Sequence, residues 1–221
     1  MGQFTGRVVL ITGASGGLGT AVTQAFQDAG ATVAAVSRTG SEISADLTQS
    51  DEATRVVEAV RARFGRLDVL LHLAGAFEGG TPVAQTTDAV WNRMVDLNLN
   101  AAFYSVRAAL APMIEAGYGR IVAIGSKTAV EPVATLAAYG ASKAALVALI
   151  RTVALEVKRS GVTANVVLPT VIDTPANRAA DPKADFSRWV KPESIARLLL
   201  WLASEEAADV NGSVVPIYGR V

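Results

Sequence analysis

Three residues in the second half of the chain could together move a proton to or from a carbonyl oxygen: Ser126, Tyr139 and Lys143. Tyr139 and Lys143 are four positions apart in an alanine-rich segment that predicts a helix, so both side chains should lie on one helix face. A neighbouring ammonium favours the phenolate, and we expect Lys143 to lower the pKa of Tyr139 from its ordinary value of about 10. Tyr139 could then act as a general acid or base. Ser126 follows an apolar run that predicts a buried strand, and its hydroxyl could hold the same substrate oxygen.

A tyrosine and a lysine at this spacing also arise by chance, and such a pair is then typical of a solvated helix face. The catalytic interpretation therefore depends on evidence elsewhere in the chain for a bound cofactor.

That evidence is a glycine-rich turn near the amino terminus. Residues 7–12 form a short β-branched run, TGASGGLG follows, and residues 20–29 carry apolar side chains at helical spacing. Glycines between a strand and a helix allow a sharp turn, and they let the backbone approach a pyrophosphate at the helix N-terminus. The residues predicted to bind a dinucleotide here are Thr12, Gly13, Ser15, Gly17, Leu18 and Gly19.

The end of the second predicted strand, residues 31–37, indicates which dinucleotide is preferred. An acidic residue there would bond the ribose hydroxyls of NAD, whereas Ser37 followed by Arg38 leaves room and positive charge for a 2′-phosphate. We therefore expect NADP(H) over NAD(H), although Arg38 could also be a solvated side chain. Asp46 and Leu47 are predicted near the adenine, with an N-cap of the helix that starts near Ser50 as an equal alternative for Asp46.

The remaining pattern predicts an α/β fold. Apolar runs at residues 67–73, 120–125, 162–168 and 214–218 alternate with helical patterns at residues 52–64, 87–116, 138–159 and 192–202. This alternation is typical of a doubly wound parallel sheet, a Rossmann fold, in a single domain spanning residues 1–221. Ala74 and Gly75 end one strand, and we expect these small residues to press against the cofactor.

Two polar residues interrupt apolar patterns. Asn98 lies on an apolar helical stripe, so its amide must find backbone partners or a water that leads to the active site. His72 lies inside a predicted strand, and a lone histidine there is more often a core residue than a catalyst.

A segment that we call the lid, residues 169–191, is irregular and rich in proline. Pro169 and Thr174 at its start are predicted to contact the cofactor. Phe77, in a loop at the same sheet edge, and Trp189 are predicted to contact the substrate.

Composition narrows the possible partners. The 20 basic and 20 acidic residues cancel, so we expect neither nucleic acid nor a membrane surface as a partner. The chain has no cysteine and one histidine, which argues against disulfides and a metal site. We expect a cytoplasmic protein with a small-molecule substrate. The helices at residues 87–116 and 138–159 carry more apolar residues than one face needs, which predicts a homodimer or homotetramer.

Together these features resemble the short-chain dehydrogenase/reductase family over residues 7–219. TGASGGLG is similar to its cofactor turn, and Ala74-Gly75 is similar to the end of its Asn-Asn-Ala-Gly motif, with His72-Leu73 in place of the asparagines. Four residues resemble its catalytic tetrad: Asn98, Ser126, Tyr139 and Lys143.

The resemblance implies NAD(P)-dependent carbonyl and alcohol chemistry. In that family's scheme Tyr139 protonates the carbonyl oxygen and Ser126 holds it. Lys143 lowers the Tyr139 pKa and bonds the nicotinamide ribose, while Asn98 positions a relay water.

The segment 168–189 is similar to the lid of dihydropteridine reductases, which leaves reduction of a pterin ring as an alternative. Those reductases carry an acidic residue where Ser37 stands and lack a serine at position 126, so a general reductase is the leading interpretation. A dinucleotide-sensing regulator without catalysis is the alternative of another class, and the complete tetrad argues against it.

Overall fold

A computed structural model describes residues 2–220 of the chain. Its centre is one sheet of seven parallel strands in the order β3-β2-β1-β4-β5-β6-β7. The strands are β1 Val8–Thr12, β2 Thr32–Ser37, β3 Ile43–Ser44, β4 Val69–His72, β5 Gly119–Ile124, β6 Val162–Pro169 and β7 Val214–Ile217. This confirms the predicted doubly wound parallel sheet.

Helices cover both faces of the sheet. They are α1 Gly17–Asp28, α2 Ser50–Phe64, α3 Asp88–Val95, α4 Ala101–Glu115, α5 Ala137–Val157, α6 Pro175–Ala180 and α7 Pro192–Leu202. The strands are buried from both sides because their side chains alternate between two apolar layers, as Leu70 and Leu71 do. One layer packs under α2, α4 and α5, and the other packs under α1 and α7.

The strand order places a cleft at the carboxyl edge of the sheet. β1 pairs with β2 on one side and with β4 on the other, so the chain reverses its direction of winding between β1 and β4. Such a reversal opens a crevice beyond the strand ends, where doubly wound folds bind ligands. Thr12, the last residue of β1, lies beside His72, the last residue of β4.

Two segments differ from the sequence predictions. The helix predicted over residues 87–116 is α3 and α4 joined by one π-helical turn, Asp96–Asn100. The lid, predicted to be irregular, contains α6 and a bridge that pairs Ile172 with Val190. Within residues 2–220, no helix combines the length and apolar character needed to cross a membrane.

Candidate active site

The turn after β1 forms a backbone cradle. Gly13 has a φ of +69°, and a Cβ there would lie 2.8 Å from the Ala74 nitrogen. A Cβ on Gly19 would lie 2.2 Å from the Gly13 carbonyl oxygen. No described side chain caps α1 at Gly16, so the first N–H groups of this helix remain available to an anion. Only glycine fits at positions 13 and 19 of this turn, and the chemistry of the turn suits the pyrophosphate of a dinucleotide.

The cradle opens into a cleft of about 330 Å³ at the carboxyl edge of the sheet. Eight of the predicted cofactor residues line it: Gly13, Ser15, Ser37, Arg38, Asp46, Leu47, Ala74 and Gly75. Other predicted cofactor residues lie beneath or beside the turn. Thr12 and Leu18 are buried below it, and a Cβ on Gly17 would lie 2.9 Å from the Thr174 Cβ at the start of the lid. Pro169 ends β6 at the same edge of the sheet.

Ser37 lies at the far end of the cleft, where the adenosine of a dinucleotide would lie, and its side chain bonds the backbone there. Its Oγ accepts a hydrogen bond from the Ser15 N–H at 2.9 Å and donates to the Val36 carbonyl at 2.8 Å. Arg38 is exposed on the cleft wall, and no carboxylate among residues 2–220 forms a salt bridge with it. The guanidinium is therefore available to a phosphate.

Asp46 does not cap α2, because the residue at the cap position is Gln49. The Asp46 carboxylate instead accepts from the N–H and the hydroxyl of Thr48, at 3.1 and 2.8 Å. The N-cap alternative considered from the sequence is thus wrong. Asp46 shapes the turn that forms one wall of the cleft.

The predicted catalytic residues lie beyond the carboxyl end of β5. Ser126 shares a hydrogen bond with the Thr128 hydroxyl, with the two oxygens 2.8 Å apart. Lys143, on α5, is 5% exposed, and its ammonium donates to the Ile124 carbonyl at 3.0 Å. Tyr139 lies one turn earlier on α5 and is partly buried.

The expectation that Lys143 lowers the Tyr139 pKa is wrong. Burial raises the pKa of the Tyr139 phenol, and its interaction with the Ser126 hydroxyl only partly offsets this. Burial also lowers the pKa of Lys143 to about 8, and its ammonium is directed at a backbone carbonyl. At neutral pH Tyr139 is therefore a protonated phenol, the form that can donate a proton.

Asn98 lies in the π-helical turn, and its side-chain amide is satisfied by protein groups. Its Oδ1 accepts from the Ala76 N–H at 2.9 Å, and its Nδ2 donates to the Ser142 Oγ at 3.1 Å. The expectation of backbone partners is met at one end of the amide only, because the partner at the other end is the Ser142 side chain. The relay water implied by the family resemblance remains a prediction.

The two residues predicted to contact the substrate differ in exposure. Phe77 is 65% exposed, and its ring meets Tyr139. Trp189 is only 8% exposed and packs against Phe186, with ring centroids 4.8 Å apart. Trp189 would have to leave this position to stack on a substrate, so Phe77 is the better placed of the two.

The two ends of the lid are tied together. Asp173, 9% exposed, accepts two hydrogen bonds from the Arg178 guanidinium, at 2.5 and 2.9 Å, and a further one from Lys191. These contacts hold the start of the lid, α6 and the end of the lid in one arrangement.

The interpretation of His72 as a core residue is confirmed, because its side chain is fully buried, but the sequence did not predict its contact with Thr12. Thr12 Oγ1 accepts from the Ala74 N–H at 3.2 Å, and it lies 3.1 Å from the Nδ1 of His72. The Thr12 hydroxyl thus links the ring of His72 to the backbone that follows β4. Complete burial, with a smaller contribution from the charge of Lys143, lowers the His72 pKa to about 3. A polar residue at the last position of an apolar strand was the available signal.

Ser142 is a residue that sequence reasoning missed. It lies between the two catalytic candidates of α5 and contacts Asn98, which is 44 positions earlier in the chain. Nothing in the local sequence pattern predicts that contact.

Comparison with known proteins identifies the class to which this fold and site belong. The sequence profile described as short chain dehydrogenase matches residues 7–185. The chain belongs to this family of oxidoreductases, whose members bind nicotinamide dinucleotides.

The relatives include both a binding protein and an enzyme. A cyclic-di-GMP-binding biofilm dispersal mediator protein of Escherichia coli is 37% identical, with 99% of this chain and 98% of that protein covered. The 3-oxoacyl-(acyl-carrier-protein) reductase FabG of Escherichia coli is 32% identical, with 98% of each chain covered. A short-chain type dehydrogenase/reductase from Mycobacterium ulcerans has the same fold, with a TM-score of 0.93, 31% identity and coverage of 99% of this chain and 90% of that one.

Proposed function

We propose that this protein is an NADP(H)-dependent oxidoreductase that interconverts a carbonyl and an alcohol, or reduces a ring C=N bond, with Tyr139 as the general acid and base. The observation that carries the proposal is the convergence at the end of β5. The partly buried Tyr139 phenol, the Ser126 hydroxyl and the buried Lys143 ammonium lie at the sheet edge that also forms the dinucleotide cleft.

Each side chain has a separate task in this proposal. A bound nicotinamide dinucleotide supplies or accepts the hydride. Tyr139 donates its phenolic proton to the substrate oxygen as that oxygen gains charge, and Ser126 donates a hydrogen bond to the same oxygen. A Lys143 ammonium close to the phenol would stabilise the phenolate that remains after the transfer.

Cofactor preference is proposed to depend on Arg38. It is an exposed cation on the cleft wall, adjacent to Ser37, and no acidic residue stands at the end of β2 to bond the ribose of NAD. A guanidinium can bond a 2′-phosphate through two parallel hydrogen bonds.

The decisive test is Tyr139→Phe, assayed for oxidation of NADPH with a panel of ketones, quinones and dihydropterins. Turnover should fall about a hundredfold or more while NADPH affinity changes little, because only the proton donor is lost. Tyr104→Phe, on α4, is the matched control and should retain full activity. A Tyr139→Phe variant with most of its activity would exclude Tyr139 as the acid.

A second candidate, a dinucleotide-binding regulator, is favoured by the similarity to the cyclic-di-GMP-binding protein. One experiment distinguishes a regulator from an enzyme. A regulator should bind NADPH or cyclic-di-GMP in calorimetry and oxidise no NADPH with any substrate of the panel. If the two nucleotides compete, both bind in the cleft beside Arg38. Arg38→Ala should then weaken the affinity for each of them.

A further inference from the structure

We infer that Ser142 is a positioning residue that couples the π-helical turn to the catalytic helix. Its hydroxyl joins Asn98 to the backbone of Tyr139. It thereby fixes the wall of the site that Gly75 and Asn98 form beside Lys143. This inference rests on the proposed function for its effect on turnover. The coupling itself can be measured without turnover.

The contacts of Ser142 define a directional chain of hydrogen bonds. Ser142 is 2% exposed, and its hydroxyl donates to the Tyr139 carbonyl at 2.8 Å. A carbonyl can only accept, so the hydroxyl proton is committed to it and an oxygen lone pair accepts from the Asn98 Nδ2 at 3.1 Å. Asn98 Oδ1 in turn accepts from the Ala76 N–H at 2.9 Å. One serine thus connects the loop after β4, the π-helical turn and α5.

Loss of the hydroxyl would leave a buried donor nearly without a partner. Asn98 is 1% exposed, and the other acceptor near its Nδ2 is the Met94 sulfur at 3.7 Å, a weak one. A buried amide in that position gains by rotating toward a better acceptor, and rotation would release the Ala76 N–H.

The wall that would move is closely packed against the catalytic lysine. A Cβ built on Gly75 would lie 2.8 Å from the Asn98 Oδ1 and 3.2 Å from the Lys143 Nζ. A displaced Asn98 amide therefore disturbs the place of Lys143 directly. The glycine cradle after β1 has no contact with Ser142 among the described hydrogen bonds, so cofactor binding should change much less than turnover.

The test compares two buried helical serines. In Ser142→Ala we expect kcat to fall about 10- to 100-fold, as for a small misplacement of reacting groups, with the KM for NADPH nearly unchanged. Ser105→Ala is the matched control, because Ser105 is also 2% exposed and its hydroxyl also donates to a helix carbonyl, that of Ala101 at 2.7 Å. It should lose similar thermal stability and keep its kcat. Ser142→Thr, which retains a hydroxyl, should recover most of the activity.

Hydrogen exchange of the Ala76 amide measures the same coupling in the absence of any substrate. It should accelerate in Ser142→Ala and not in Ser105→Ala. If the unmodified protein turned over no carbonyl substrate, the proposed function would fail while faster Ala76 exchange would still support the coupling. If kcat and Ala76 exchange responded alike in both variants, the inference would be overturned. If Ser142→Ala does not fold, Ser142→Cys is the substitute, because a thiol has a similar volume and is a poor hydrogen-bonding group. An unchanged kcat in Ser142→Cys would also overturn the inference.

Discussion

The ring of Phe77 meets the ring of Tyr139 edge-on, with centroids 5.0 Å apart and ring planes at 76°. Edge-to-face contacts of this kind favour a fixed orientation of both rings. Phe77 keeps most of its surface exposed. It therefore both orients the proposed proton donor and offers an apolar face to whatever lies beside it.

The first prediction concerns substrate shape. Phe77→Ala should raise the KM for a planar ring, such as a quinone or a quinonoid dihydropterin, by about 2- to 10-fold, because a stacked pair contributes about 0.5 to 1.5 kcal/mol. The KM for a small aliphatic ketone should change less. Steady-state kinetics on both substrates measures the difference. Val83→Ala provides a control, since Val83 is 72% exposed in the same connection between β4 and α3.

Trp189→Ala should instead lower the melting temperature, because Trp189 is buried against Phe186. A Trp189→Ala variant of normal stability that had lost affinity only for planar rings would restore Trp189 as a substrate contact. That result would also strengthen the pterin alternative, which is based on the lid.

The second prediction concerns the cofactor. Arg38→Ala should weaken NADPH about 10- to 100-fold and leave NADH nearly unchanged, because the lost charge-assisted contact is worth about 1.5 to 3 kcal/mol. Adding Ser37→Asp should reverse the preference. Fluorescence titration of both reduced cofactors measures it, with Arg197→Ala, an exposed arginine on α7, as the control. Equal affinity of the unmodified protein for NADPH and NADH would contradict the proposal.

The third prediction is an acid sensitivity due to His72. Its pKa falls from an ordinary 6.5 to about 3 on burial, so between these values the unfolded chain binds a proton that the native state does not. The contribution of His72 to the free energy of unfolding is fully present above about pH 6.5. It decreases as the pH falls, by up to about 1.4 kcal/mol per pH unit.

His72→Asn should remove this component and keep a polar partner for the Thr12 hydroxyl. Between pH 7.5 and pH 5 the unmodified protein should lose about 2 kcal/mol more than the variant in urea unfolding. The carboxylates titrate alike in both proteins, so the difference between the two isolates His72. Parallel pH profiles would show that the histidine is not held neutral.

The fourth prediction concerns assembly. Phe103 on α4 is 39% exposed and Leu155 on α5 is 70% exposed, on the two helices predicted to form a subunit interface. Light scattering at micromolar concentration should give a dimer or tetramer. Leu155→Glu should shift the mass toward the monomer, whereas Val83→Glu, in the connection between β4 and α3, should not. A monomeric unmodified protein would rule out this interface.

The apolar runs of the strands made the sheet predictable, because parallel strands covered on both faces must be apolar along their whole length. The order of glycines after β1 made the cleft predictable for a local reason, since the Gly13 carbonyl leaves no room for a side chain at Gly19. These features depend on residues that are close in sequence.

What the sequence did not predict depends on contacts between distant elements. The π-helical turn at Asn98 adds one residue to a helix without a clear break in its apolar stripe. The predicted direction of the Tyr139 pKa shift was wrong. The sequence shows the spacing between Tyr139 and Lys143, but it does not show the burial that raises the pKa of Tyr139. The protected position of Trp189 depends on the folded path of the lid, which composition does not determine.

The crowding at Gly75 has a consequence for how proteins of this fold could diverge. A methyl group there would meet both the Asn98 amide and the Lys143 ammonium, at a residue that also lines the dinucleotide cleft. Gly75→Ala should therefore impair both catalysis and nucleotide binding. Because one glycine serves the catalytic residues and the cleft at once, a single added carbon atom would disturb both, and this position leaves the fold little freedom to vary.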